Sequence, residues 1–363
     1  CLVGRAVGFC VGQRREPTLS PASAPSLPDA ATAEIQTISL PPNGTSLFHQ
    51  KFGQMTNQSL EGRVAGKHMF RTVMYGDPTG CQQAIAIWDA TPADANFGGE
   101  YESLRWLCEY SAQTPEMRVQ MALRDPDGAV LLRYFDRVGW QSLGQYLGSV
   151  YKFEAPGLVA VSNDVVLTTH EMLRFNGPGR AAWERTDALM ERLGINPGSV
   201  VVDLGAGGGF ITRRLAKLVG PSGKVKALEI SDPFIEILKF EKMALNQSNV
   251  DVITSQPTDL MLPANSADVV WICNLYHFFY GSYTDKNRVE LLNSMRTVLR
   301  SGGRLVVADQ TPESRLAPGE PAYYGFTIDS QLVRRQLEAA GFVFEQQVES
   351  VPQRYVLSFS DPN

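Results

Sequence analysis

No run of 18 apolar residues occurs in this chain, so no membrane-spanning helix is expected. Cysteine is scarce. The five are Cys1, Cys10, Cys81, Cys108 and Cys273, scattered along 363 residues. An odd, widely spaced set is not a disulfide framework. No Cys/His spacing suggests a structural zinc site, so no metal is expected. Excess charge is also lacking. A net charge of -5 gives no support to a nucleic-acid partner. There is no internal repeat. What is present is an ordinary globular composition, 44% hydrophobic and 20% charged, in a chain long enough for two domains.

The chain is organised around Ser199 to Leu215, SVVVDLGAGGGFITRRL. Val200, Val201 and Val202 are consecutive β-branched residues, which suits a strand buried on both faces of a parallel sheet. Asp203 ends the run, and Gly205, Gly207, Gly208 and Gly209 form a turn. Phe210 to Leu218 reads as a helix, with Ile211, Leu215 and Leu218 on one face. A glycine turn opening a helix lets a ligand approach bare backbone N–H groups. Dinucleotide-binding folds use such turns too. Asp203 discriminates, because a carboxylate there repels a pyrophosphate and suits a ligand carrying a cation.

The pattern D-x-G-x-G-x-G of Asp203, Gly205, Gly207 and Gly209 resembles the first motif of class I methyltransferases that use S-adenosylmethionine (SAM). SAM carries an α-amino group and a sulfonium but no phosphate. The resemblance implies SAM as cofactor, bound by Asp203, Gly205, Ala206, Gly207 and Gly209. Upstream, the helix ERTDALMERLGI ends at Gly194, and Pro197-Gly198 turns the chain into the strand. The R-x-x-W segment, Arg180 to Trp183, resembles a group of bacterial methyltransferases related to the ubiquinone and menaquinone C-methylating family.

The second strand is Lys224 to Glu229. Ligands of open α/β sheets bind at the carboxyl ends of the strands. Glu229 at such an end can accept hydrogen bonds from ribose hydroxyls, and Ile230 can pack on an adenine. A helix over Asp232 to Leu245 and a third strand, Val250 to Thr254, follow. By resemblance, Asp259 in the next loop sits beside the adenine amino group. The fourth strand, Asp268 to Cys273, runs into Asn274-Leu275-Tyr276-His277. In the resembled family this N-x-Y-H segment lines the cofactor and substrate site, which implies Asn274 on the cofactor side. His277 is the candidate general base, since histidine titrates near neutrality. A histidine that merely orders the loop is the alternative.

A helix over Val289 to Arg300, the pair Gly302-Gly303 and a fifth strand, RLVVADQ, continue the family pattern. Asp309 and Gln310 end that strand and face the substrate side. Ser330 to Ala340 is a further helix. Val343 to Val348 and Arg354 to Phe359 form a closing antiparallel hairpin. Tyr276, Tyr280, Tyr323 and Tyr324 are the candidate substrate residues, with Phe326 in the same loop. The cysteines needed for arsenic methylation are absent, since only Cys273 lies in this part. So is the N-P-P-Y loop of base-amino methylating enzymes.

The first 33 residues are rich in Pro, Ser and Ala and read as a disordered tether or a processed targeting segment. Cys1 ahead of such a tether also fits a lipid-anchored or exported form. A soluble cytoplasmic or organellar location is favoured, and the alternatives stay open. Residues 34–163 match no recognised family. Phe70 to Tyr75 and Ala84 to Trp88 read as short strands. Tyr101 to Tyr110, Pro115 to Leu123 and Ala129 to Tyr151 read as helices. Asp125-Pro126-Asp127-Gly128 reads as a turn in which glycine supplies a positive φ. The aromatic residues here read as core. Asn43 and Asn57 head glycosylation sequons.

The expected fold is α/β. It has a Rossmann-like, doubly wound seven-stranded sheet with an antiparallel C-terminal hairpin over residues 164–363, and an N-terminal α+β extension. The expected function is SAM-dependent methyl transfer to a small-molecule substrate, with no nucleic acid and an oligomeric state left open. The alternative is a catalytically degenerate SAM- or nucleotide-binding protein with an N-terminal interaction module. A third reading, an NAD-dependent dehydrogenase, shares the sheet and Glu229 but is opposed by Asp203.

Overall fold

The computed structural model describes residues 60–90, 100–151, 153–155, 157–158, 162–310, 323–324, 327–351 and 354–362. The tether, Cys1 and both sequons lie outside them. The described residues form two compact units that divide between Trp183 and Glu184, one helix downstream of the expected division at 163/164.

Every described element of the first unit is a helix: α1 (Leu60–Tyr75), α2 (Pro78–Asp89), α3 (Glu100–Ser111), α4 (Pro115–Arg124), α5 (Pro126–Val138), α6 (Gln141–Val150) and α7 (Asn163–Phe175), with the short α8 (Arg180–Glu184) at the boundary. The two expected strands are therefore corrected. Phe70 to Tyr75 is the last part of α1, whose buried Ala65, Met69 and Thr72 recur at helical spacing. Ala84 to Trp88 lies in α2, where Cys81, Ala84 and Trp88 are buried together. Over five residues, a slice of a 3.6-residue period looks like an alternation.

Asp125-Pro126 is a helix start rather than a turn. The Asp125 side chain accepts from the N–H groups of Asp127 and Gly128, and Pro126 occupies the first helical position. Gly128 is helical, and its use is space: a Cβ there would come within 2.4 Å of Trp106 Cζ2. The long helix expected over Ala129 to Tyr151 is two helices, broken at Gly139 with φ +88°. In the unit's interior Glu100 Oε1 accepts from the hydroxyls of Tyr146 (2.7 Å) and Tyr151 (3.2 Å). Burial pushes the Glu100 carboxyl above the usual carboxylate range, against those hydrogen bonds and the nearby Arg174 charge.

The second unit opens with α9 (Thr186–Arg192), whose Leu189 and Met190 are buried. Its strands are β1 (Val200–Leu204), β2 (Lys224–Glu229), β3 (Val250–Thr254), β4 (Ala267–Cys273), β5 (Leu299–Gln310), β8 (Val343–Val351) and β9 (Arg354–Ser360), with the short pair β6 (Tyr323–Tyr324) and β7 (Thr327–Ile328) separate. The sheet order is β3-β2-β1-β4-β5-β9-β8. The first five strands are parallel and β9 runs antiparallel between β5 and β8, as the sequence led us to expect. Helices α10 (Phe210–Val219), α11 (Asp232–Ala244), α12 (Tyr276–Ser282), α13 (Asp285–Val298) and α14 (Ser330–Ala339) wind around it.

Side chains alternate across a strand, and the two faces are covered differently. Val202, Leu204, Val270, Ile272, Leu305 and Val307 face a core completed by Leu291 and Met295 of α13 and Leu332, Val333 and Leu337 of α14. On the other face Asp203 meets α10. The chain order reverses between β1 and β4, so the glycine turn after β1 and the turn after β4 flank the crevice where such sheets bind ligands.

Among the described residues no helix is long and apolar enough to cross a membrane. Cys81, Cys108 and Cys273 form no disulfide among the described residues.

Candidate active site

The glycine turn holds its shape through backbone bonds to β2. The N–H groups of Gly205 and Ala206 both donate to Leu228 O, at 2.9 and 3.0 Å. Gly205, Gly207 and Gly209 have φ of +73°, +52° and +85°, which a side chain would strain. Gly205 is also needed for space, since a Cβ would come within 2.4 Å of Leu275 Cδ2 in the turn after β4. Gly207 is different. Nothing lies within 4 Å of where its Cβ would be, so this face of the turn is open to a ligand.

Glu229 stands beside it. Its Oε2 accepts from Gly207 N–H at 2.9 Å, and its Oε1 accepts from Ile230 N–H at 2.8 Å and Ser231 N–H at 3.0 Å. Burial raises its pKa above the ordinary carboxylate value, and the three hydrogen bonds pull the other way. A carboxylate offers about four acceptor positions. Three are taken, which leaves room for one ribose hydroxyl rather than the two the sequence suggested, unless Gly207 N–H lets go.

Asp203 is buried on the α10 side, and its Oδ2 accepts from Thr212 Oγ1 at 2.5 Å. Ile230 is half-buried next to Glu229. Asp259 pairs backbone to backbone with Gln256 in the loop after β3. It is exposed, and its Oδ1 accepts from Met261 N–H at 2.8 Å and from Ser294 Oγ at 3.3 Å. The residues that do adjoin Glu229 from β3 are Ser255, whose N–H donates to Glu229 O at 3.1 Å, and Gln256 after it.

Asn274 follows β4 in the left-handed region, at φ +53°. Its Oδ1 accepts from Arg354 Nη1 at 2.6 Å and from Gln310 Nε2 at 3.2 Å. The amide oxygen is thus occupied by protein.

His277, in the first turn of α12, is buried against Asp309 at the end of β5. Its Nδ1 lies 2.9 Å from Asp309 Oδ1 and 3.1 Å from Oδ2, and its backbone N–H donates to Oδ2 at 3.1 Å. Gln310 N–H adds a further bond to Oδ1 at 2.8 Å. A carboxylate can only accept, so it selects the tautomer with the proton on Nδ1 and the lone pair on Nε2. That is the arrangement a proton acceptor needs. Asp309 was expected to face substrate. Instead it is wholly buried and holds the histidine.

Of the tyrosines, Tyr276 is corrected. It is buried in the core below the sheet ends, edge-on to Phe279, and its hydroxyl donates to Gln336 Oε1 at 3.1 Å. Burial raises its pKa, and its hydroxyl is engaged by protein rather than offered to a ligand. Tyr280 is half-buried, with Arg288 stacked near its ring. The backbone of Tyr323 and Tyr324 forms β6, while their side chains and Phe326 lie outside the described residues. Among the described residues no group of three or more His, Cys, Asp or Glu is placed to hold a metal ion.

Residues 202–307 match the family model of a methyltransferase domain. The ubiquinone/menaquinone biosynthesis C-methyltransferase UbiE of Ectopseudomonas mendocina is 31% identical over 140 residues, 38% of this chain and 50% of that protein. The enzyme of the same name from Hahella chejuensis is 31% identical over 128 residues, 35% of this chain and 48% of that one. The chain thus spans about half the length of the relatives it matches. A solved SAM-dependent methyltransferase from Aquifex aeolicus is 23% identical, with a TM-score of 0.45, over 51% of this chain and 93% of that one.

Proposed function

We propose, from residues 202–307 being a class I SAM-dependent methyltransferase domain, that this protein methylates a small organic molecule whose nucleophilic atom gives up a proton. The observation that carries the reading is the open face of Gly207 beside the pinned carboxylate of Glu229. When bound, SAM supplies an electrophilic methyl group on a sulfonium and leaves as the thioether S-adenosylhomocysteine (SAH).

The strand order gives the ligand a direction. Glu229 at the end of β2 accepts a ribose hydroxyl. Ile230, Ser255 and Gln256 receive the adenine on the β3 side, with Asp259 paired to Gln256. The amino-acid end then runs over the glycine turn towards Asn274 at the end of β4. His277 takes the acceptor's proton on Nε2 as the new bond to carbon forms, and Asp309 holds the ring in the tautomer that carries its own proton on Nδ1. Alignment and exclusion of water do the rest. Tyr280 and the β6 tyrosines are the candidates to contact the acceptor. The small-molecule UbiE relatives and the net charge of -5 both favour a small acceptor over nucleic acid.

Calorimetric titration of the wild type and Gly207→Asn with SAM, SAH and NAD tests this. Asparagine tolerates a positive φ, so the variant keeps the turn and fills the open face. Binding of SAM and SAH that the variant loses is the expected result. Binding of NAD alone overturns the reading. Binding of SAH with no methyl transfer from labelled SAM to a pool of small molecules makes the protein the degenerate alternative.

A further inference from the structure

On the face of the sheet away from His277, four polar residues from four places in the chain meet at the carboxyl ends of β4 and β5. Arg354, the first residue of β9, pairs in register with Gln310, the last of β5. Its guanidinium donates to Asn274 Oδ1 at 2.6 Å, lies 3.7 Å from Cys273 Sγ, and forms an ion pair with Glu184 at 3.2 Å. The side chains of Arg354 and Glu184 are 4% and 5% exposed. Gln310 adds its Nε2 to Asn274, while its buried Oε1 has no hydrogen-bond partner among the described residues.

A buried ion pair is a poor way to gain stability, because both ions lose their water. Asn274 is held at φ +53°, a left-handed conformation that asparagine tolerates better than most side chains but that glycine adopts more freely. The two features meet at Asn274, whose amide oxygen accepts from the guanidinium of the pair. Its conformation sends the chain from β4 into Leu275, which packs on Gly205 of the glycine turn. We infer that Arg354 is a positioning residue for the cofactor site. Through Asn274 it fixes the wall that receives the amino-acid end of SAM, and it leaves Gln310 Oε1 as an acceptor for the α-ammonium. Glu184 neutralises the guanidinium, so the cluster does not repel that cation.

The inference rests on the proposed SAM site, and the test separates the two. SAH and 5′-methylthioadenosine are titrated calorimetrically into the wild type, Arg354→Gln, Glu184→Gln/Arg354→Gln and Asn274→Gly. The last variant is also combined with Arg354→Gln. The thioether nucleoside has the adenosine but no amino-acid end. Removing one ion of a buried pair threatens folding. The double replacement removes both and keeps the experiment open.

The expected result is a loss of SAH affinity of about tenfold in both Arg354 variants, with methylthioadenosine held within about twofold. In the Asn274→Gly background, where glycine adopts the left-handed turn unaided, Arg354→Gln should cost SAH almost nothing. A merely structural Arg354 would weaken both ligands together, and that overturns the inference. So does unchanged SAH binding, or a full Arg354 effect in the glycine background. If the wild type binds neither ligand, the SAM site itself is wrong and the inference falls with it.

Discussion

Glu229→Gln separates holding the glycine turn from holding a ligand. In the wild type the carboxylate accepts three backbone N–H groups. The amide can keep Oε1 on Ile230 and Ser231, but its NH2 then faces Gly207 N–H, donor against donor. Losing a hydrogen bond to a charged acceptor costs about 1.5–3 kcal/mol. Against this, the variant no longer buries a charge. The pKa of Glu229 is raised, which means that burial outweighs the three hydrogen bonds for the ionised form. The two effects therefore offset, and the net change in stability stays within about 1.5 kcal/mol, a melting shift under about 6 °C. Ligand affinity has no such compensation. A ribose hydroxyl loses a charge-assisted bond, so SAH binding should fall about 10- to 100-fold. Scanning calorimetry and titration with SAH measure both numbers on one preparation. A variant that melts normally and binds SAH as the wild type does refutes the ribose role. A melting loss well beyond that range makes Glu229 a support of the turn instead.

Three further outcomes follow from the structure. His277→Gln and Asp309→Asn should each cut methyl transfer by about 10²-fold while SAH titration stays unchanged. Normal turnover in His277→Gln removes the base. Gly128→Ala should destabilise the helical unit by about 1–3 kcal/mol through overlap with Trp106, read as a lower urea midpoint. No change would mean the Trp106 ring can step aside. The Glu100 carboxyl has its pKa raised in the folded state, so the folded chain binds that proton more tightly than the unfolded one. Stability from this group is fully present at low pH. It is lost as pH climbs from the usual carboxylate range through the raised folded value. Urea midpoints against pH should show that fall in the wild type, and Glu100→Gln should flatten it.

The sheet was legible because its signals are local. Unbroken apolar runs such as Val200 to Val202 and Val269 to Cys273, rich in β-branched residues, suit strands buried on both faces, and the glycines after β1 mark a turn. The helical unit was less legible. Phe70 to Tyr75 is too short to tell a period of 2 from one of 3.6, and Gly128 was taken for a conformational residue when it is a spatial one. Asp259 does what aspartates in loops commonly do, which is to accept from the backbone two residues on. The partnerships that shape the site leave no local trace. His277 and Asp309 are 32 residues apart, and Asn274 and Arg354 are 80 apart. Only polar residues at the ends of buried strands hinted that something would meet there.

The structure also changes why Asp203 favours SAM over a dinucleotide. The sequence argument was direct repulsion of a pyrophosphate by a carboxylate near the ligand. In the fold the carboxyl group is turned away, onto the Thr212 hydroxyl in the first turn of α10. That places an acid against the helix N-terminus, whose residue Gly209 has no side chain to cap it. A helix N-terminus carries about half a positive charge and is the usual seat for a phosphate. Here that charge is already answered from inside the protein. A phosphate would gain little from the helix and would still meet the acid. A ligand with a cation and no phosphate gains from the acid and forgoes nothing. Thr212→Val, which removes only the hydroxyl holding Asp203, should therefore leave NAD unbound and change SAH affinity by no more than about threefold. Appearance of NAD binding in that variant would show that the acid opposes a phosphate only while Thr212 holds it in place.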